Sequence, residues 1–436
     1  MKNAAYLVDG EEFSLDELRR MADGFRSAPG DAPPGLLCGG KEPLLLARLL
    51  RCWEARIPFL VRPPDEPPAR TAAFAAQLGF VHPGDAYLAG TSGSTGEPKC
   101  VAVTRENLRH FADWLMKRPL MGEGGTVFCP APLSFDLSAA PLVLLQHGWR
   151  YATVSAGLTG DLPALFRVLR RSEPSLLVAT PTFADLCLCD PDFHAALLPA
   201  LRGAWFCGER LRPSTVRRLW ARFPGLRIFN AYGPTEACCA VCQTEITPEM
   251  DGWELLPAGD VRDAAAEIAL RPPDGGSACP GVSPGGGGSA GTSGGEAGRG
   301  IVVLRGESVA RGYLAADGAL RAFGGVFDTG DVAFIRDGRL YPEGRADRQV
   351  KLGGVRTEPG ELERALLLLP GVTAARAEPV VRGGRALWLR AEVCGAVSRE
   401  DVLAGLRALL PERLLPRELV IYDRPPVSAN GKWRLG

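Results

Sequence analysis

Histidine is scarce in this chain: four among 436 residues, at positions 82, 110, 147 and 194. None lies near "AYGPTEACCAVC" (231–242), where Cys239 and Cys242 have C-x-x-C spacing. No second C-x-x-C exists to complete a zinc knuckle, so a metal-free role is expected for these thiols. The 12 cysteines are spread irregularly and do not form the dense pattern of a small secreted scaffold. An excess of either charge is also missing. The 50 basic and 50 acidic residues cancel, which argues against nucleic acid or an anionic membrane as main partner. No apolar run approaches the roughly 18 residues of a spanning helix. The start, "MKNAAYLVDGEEF", has no apolar core of a secretory signal. A cytoplasmic protein without membrane insertion is the expectation.

What is present is strand–helix alternation. "IPFLV" (57–61), "TVFC" (126–129), "SLLVAT" (175–180), "AWFCG" (204–208) and "RIFNAY" (227–232) read as buried strands. Between them, "PLLLARLLRCWEAR" and "STVRRLWARF" read as amphipathic helices, and Ser14 with Glu17 forms a capping box. The fold class is α/β, a sheet covered by helices. Residues 271–299 are Pro/Gly/Ser-rich without periodicity and read as a flexible surface insertion, a disordered loop rather than a docking tether. The last 90 or so residues mix strands and helices as a small α+β domain, giving domains of 1–345 and 346–436.

"GTSGSTGEPK" (90–99) follows a strand-like run and carries small residues, hydroxyls and a lysine, the groups that cradle a phosphate. It is not a Walker loop, because no lysine follows its second glycine directly. On composition alone, such a stretch is more often a flexible loop than a phosphate cradle. Its order of residues, however, resembles the phosphate loop of the adenylate-forming superfamily. "NAYGPTE" (230–236), "FDTGD" (327–331), "GRADRQVKLGGVRTEPGELE" (344–363) and "NGK" (430–432) resemble that superfamily's later motifs in the same order. The resemblance spans roughly residues 85–434. Within the superfamily, "SFDLS" (134–138), "ATPTFADLCLCDPDF" (179–193), "FCGERL" (206–211) and "YGPTEACCAVCQTEIT" (232–247) are most similar to the D-alanine–D-alanyl carrier protein ligases.

The resemblance implies a large adenylate-forming domain of parallel and mixed sheets, plus a small mobile C-terminal domain. It implies ATP-dependent activation of a carboxylate as its AMP ester, chemistry dominated by positioning and charge neutralisation. Thr91, Ser92, Gly93, Ser94, Thr95, Gly96 and Lys99 would hold the β/γ-phosphates. Asn230, Ala231, Tyr232, Gly233 and Pro234 would frame the adenine, with Asp331 at the ribose and Arg345 at the ribose or phosphate. Thr235 would donate to the α-phosphate, and Glu236 would help hold Mg²⁺. Lys432 would bridge the substrate carboxylate and ribose, although by itself it reads as a solvated tail lysine. Asp136, among apolar residues, is either a cap or ion pair or, as the resemblance implies, the partner of a substrate ammonium. The side-chain pocket would be formed by Leu137, Ala140, Cys187, Cys207, Ala231, Cys239 and Ala240. There, cysteine acts as a small hydrophobe, and rejecting glycine is worth only ~1–3 kcal/mol.

The second half-reaction would pass the aminoacyl group to the phosphopantetheine thiol of a separate carrier protein. Before it, the small domain would turn about Asp347 and exchange Lys432 for the loop around Gly354. A monomer is expected, and teichoic acid D-alanylation is the implied pathway. The chain departs from the pattern at Cys100, Thr357 and Pro359, at the residue after Lys432, and at Cys238, Cys239 and Cys242. A stand-alone adenylation enzyme for another amino acid in a nonribosomal pathway, or an aryl or acyl acid–CoA ligase, are the alternative expectations.

Overall fold

A computed structural model describes residues 5–23, 35–91, 99–272, 297–346 and 349–422. Ser92 to Gly96, Asp347, Lys432 and most of the Gly/Ser-rich insertion lie outside these, as does the Thr91 side chain.

Six strands run parallel in the largest sheet: Arg227–Tyr232, Gly203–Phe206, Leu176–Ala179, Thr126–Phe128, Arg150–Thr153 and Ala5–Val8, in that spatial order. Antiparallel strands Cys242–Ile246 and Glu11–Ser14 close its two edges. Sequences such as LLVA and GAWF are apolar throughout because helices cover both faces of the sheet, and every residue of these two strands is buried. The strand expectations at "IPFLV", "TVFC", "SLLVAT", "AWFCG" and "RIFNAY" are all met, within a residue or two at the ends. The two expected helices form over Pro43–Glu54 and Pro213–Arg222. Ser14 caps Leu15–Ala22 through the reciprocal bonds of a capping box: Glu17 N–H donates to Ser14 Oγ at 3.2 Å, and Ser14 N–H donates to Glu17 Oε2 at 2.8 Å.

A six-stranded sheet and an antiparallel five-stranded sheet complete the larger part of the chain. In the five-stranded sheet, Glu267–Arg271 pairs directly with Ala297–Arg305, so the Gly/Ser-rich insertion joins two neighbouring strands of one hairpin. Loop-closure entropy grows only slowly with length, and a long excursion at a hairpin tip leaves the register untouched.

The C-terminal part is a smaller α+β domain with its own core. Val355–Thr357, Val350–Leu352, Arg385–Gly395 and Val372–Arg382 form its sheet, joined by Glu418–Tyr422. Pro359–Leu367 and Arg399–Leu409 bury Leu362, Leu366, Val402 and Leu406 against it. No helix among the described residues is long and apolar enough to cross a membrane.

Candidate active site

Parallel sheets expose a crevice at the carboxyl ends of their strands, and the expected site residues gather there. Cys207 follows the strand Gly203–Phe206, and Tyr232 ends the strand Arg227–Tyr232. Beyond Tyr232 the chain makes a short 3₁₀ turn over Thr235–Ala237 and then places Cys238 and Cys239 in left-handed backbone, at φ of 57° and 79°. Such conformations are unfavourable for cysteine and persist only where the surroundings impose them. The return brings Ala240 so close that a Cβ on Gly233 would lie 2.5 Å from its Cα, which is why glycine stands at 233.

A cavity of about 430 Å³ opens beside this turn, with Asp136, Leu137, Cys207, Thr235 and Cys239 in its wall. Asp136 begins the 3₁₀ turn that leads into helix Ala139–Gln146, and its Oδ2 accepts a hydrogen bond from the Thr235 hydroxyl. Burial raises the Asp136 pKa above the usual carboxylate range, while the Thr235 bond and the Lys351 charge pull the other way. A hydrogen bond with the Cys207 thiol and burial push the Cys239 thiol's pKa well up, and Cys207 and Cys239 are both small, buried side chains. The side chain of Cys187 does not join them. Its helix, Pro181–Cys187, turns it into the core behind the sheet, packed with Leu188 and Phe193, so its expected place in the pocket wall is corrected. Ala140 and Ala240 are buried in the same core cluster as Leu137, Cys207 and Cys239.

Glu236 is fully buried. Desolvation works against its charge, yet Arg356, the Tyr313 hydroxyl and neighbouring groups hold its pKa below the usual range. Arg356 Nη1 lies 2.7 Å from Oε1, to which Tyr313 also donates. Oε2 is buried with no partner among the described residues. Lys99 places its ammonium 3.8 Å above the Tyr313 ring centroid, on the same side of the site.

Asp331 and Arg345 are opposite one another in adjacent strands, Val326–Arg336 and Arg339–Arg345, and form an ion pair at 2.7 Å. Tyr232 Oη donates to the other Asp331 oxygen at 2.7 Å. Ala231, Tyr232 and Gly233 line a second cavity of about 250 Å³ that also reaches Asp331 and Arg345. Asn230 lines it as well; its Nδ2 donates to Pro257 O at 2.8 Å, and its Oδ1 is buried without a partner among the described residues. A planar, partly polar ring fits such a pocket.

The small domain closes one wall. Gly354 N–H donates to Glu209 Oε1 at 2.8 Å, and Glu209 Oε2 accepts from Thr182 N–H at 3.1 Å. Arg385 pairs with Asp185 and donates to Arg210 O at 3.1 Å. Glu209 and Arg356 lie inside "FCGERL" and "GGVRTEPGELE" but carried no assigned role in the sequence reading. Lys41 also lines the larger cavity, its ammonium donating to Pro130 O and Val154 O; burial lowers its pKa to about 8. Nothing in the sequence around Lys41 marks it.

Residues 60–314 match the AMP-binding enzyme family. The chain belongs to the AMP-binding enzyme family. Among similar proteins, a D-alanine–D-alanyl carrier protein ligase of Bacillus licheniformis is 34% identical over 368 residues, covering 81% of this AMP-binding enzyme and 70% of the relative. A ligase of the same name from Staphylococcus epidermidis is 33% identical over 79% of this chain and 69% of its own. In fold, this AMP-binding enzyme is similar to the Vibrio cholerae adenylation domain AlmE solved with glycyl-adenosine-5'-phosphate. The TM-score is 0.78 at 18% identity, over 99% and 94% of the two chains. IdnL1 gives a TM-score of 0.74 at 24% identity, over 97% and 96%. The AMP-binding enzyme described here is an AMP-forming ligase.

Proposed function

We propose that the chain activates a small amino acid, D-alanine before others, as aminoacyl-AMP and transfers it to the phosphopantetheine thiol of a separate carrier protein. One observation carries the amino acid assignment: a half-buried, desolvated carboxylate, Asp136, stands in the wall of the cavity that holds Leu137, Cys207 and Cys239. A substrate ammonium would restore the charge that burial disfavours, and a carboxylic acid without an amine offers nothing to it. The neighbouring small thiols of Cys207 and Cys239 suit a short apolar side chain. The names of the curated relatives support D-alanine and a carrier protein.

In this reading the substrate carboxylate points toward Thr235, whose hydroxyl turns from Asp136 to the α-phosphate once the ammonium takes its place. The carboxylate oxygen attacks the α-phosphorus and pyrophosphate departs. Lys99 neutralises the departing charge, while Asp331 and Arg345 hold the ribose. Ser92 to Gly96 and Lys432, outside the described residues, complete the phosphate and carboxylate contacts. The spare, buried Oε2 of Glu236 fits a Mg²⁺ ligand, a hard cation that takes carboxylate oxygen. When bound, Mg²⁺ neutralises phosphate charge. Residues 346–436 form the moving domain, with Asp347 as hinge, and the loop at Gly354 serves the thioester step. We read the protein as cytoplasmic, where ATP is supplied, and as a monomer.

The test is carrier loading. With ATP, Mg²⁺ and D-alanine, a holo carrier protein should gain the mass of one alanyl residue, and the apo carrier should not. A holo carrier that stays unmodified with D-alanine and every other amino acid would remove the transfer step from this account.

A further inference from the structure

The small domain brings a cation of its own to Glu236. Arg356 stands on Val355–Thr357, the second strand of the hairpin formed with Val350–Leu352. Its Nη1 is 2.7 Å from Glu236 Oε1, and its Nε donates to Gln349 Oε1 at 2.5 Å. Both ends of the pair are withdrawn from solvent, with side-chain exposures of 18% for Arg356 and 0% for Glu236. The hairpin is seated from the other side as well, because Gly354 N–H is bonded to Glu209.

In this orientation Glu236 is already neutralised. A divalent cation on the same carboxylate would sit a few ångströms from the guanidinium in a site of low dielectric, where like charges repel strongly. We propose that Arg356 and a divalent cation hold Glu236 by turns: Arg356 locks the small domain in the orientation seen here, and cation binding to Glu236 releases it. Arg356 is thus a positioning residue, one that ties departure of the metal and pyrophosphate to arrival of the thioester loop. The inference rests on the reading of Glu236 as a metal ligand but not on the identity of the amino acid. It deepens that reading by giving the site a built-in replacement cation.

Mn²⁺ alone is the probe, titrated into the full chain without nucleotide and followed by water-proton relaxation. Arg356→Met should tighten Mn²⁺ binding roughly tenfold, with Arg356→Lys between it and the wild type. Glu236→Gln should abolish the site in either background. Small-angle scattering supplies a second readout: saturating Mn²⁺ should change the wild-type profile toward that of Arg356→Met, which should no longer respond. Equal Mn²⁺ affinity in wild type and Arg356→Met overturns the inference while leaving Glu236 a metal ligand. Binding that survives Glu236→Gln overturns both. Should Arg356→Met fail to fold, a wild-type scattering profile unmoved by saturating Mn²⁺ is itself enough to overturn the proposal.

Discussion

In the proposed function, Asp136 is the residue on which substrate choice turns. Replacing it by Asn keeps the shape and removes the charge. Losing one partner of a buried charge pair costs about 2–5 kcal/mol, so amino-acid-dependent turnover should fall by roughly thirty- to several-thousandfold. The pH dependence has a definite sign. Burial lifts this acid's folded pKa above its unfolded value, so ionisation costs stability. The unliganded protein should therefore lose stability as pH rises from the ordinary aspartate range through the raised value. Amino acid binding should strengthen over the same interval, because the ammonium needs the charged carboxylate. Thermal melts and calorimetric titrations across pH should show both trends, and Asp136→Asn should flatten them. At this scale the sequence was informative where a residue sits in an ordered motif, as Asp136 and Glu236 do. It misplaced Cys187, because spacing along a seven-residue helix does not say which face meets the crevice and which meets the core. Arg356 escaped because its significance lies in a carboxylate 120 positions away.

The hairpin Val350–Leu352 and Val355–Thr357 is the element that joins the two parts of the site. Gly354 makes its tight approach possible. Its φ is +87°, and a Cβ there would stand 2.6 Å from Thr180 Cγ2 and 3.1 Å from the Phe135 ring. Gly354→Ala combines an unfavourable backbone with a clash against both groups. It should slow carrier loading by roughly five- to 150-fold through an ~1–3 kcal/mol penalty on the docked hairpin, with much less effect on pyrophosphate exchange. Loading and exchange measured on one preparation would show the split; equal losses in both would mean that the hairpin does not serve the thioester step selectively. Elements of this kind were partly legible. The strands stood out as unbroken apolar runs between amphipathic helices, since a parallel sheet is buried on both faces. Contacts such as Glu209 to Gly354 were not, because they cross between domains and leave no periodicity behind.

Over the whole molecule, strand–helix alternation was enough to indicate an α/β architecture, and the long Gly/Ser-rich insertion did not obscure it because it joins adjacent strands. The placement of the small domain against the crevice was beyond reach of sequence pattern. It depends on a few polar contacts, among them Arg385 with Asp185 and Arg356 with Glu236. These contacts border the two cavities, one proposed to take a nucleotide and the other a small amine-bearing acid. The central claim is that the site adenylates an amino acid recognised by its ammonium. ATP–pyrophosphate exchange by the purified enzyme, comparing D-alanine, L-alanine, glycine and propionate, tests it most directly. The account predicts exchange led by D-alanine, weaker with glycine, and none above background with propionate. Exchange driven by propionate as well as by D-alanine, or by no amino acid at all, would contradict it.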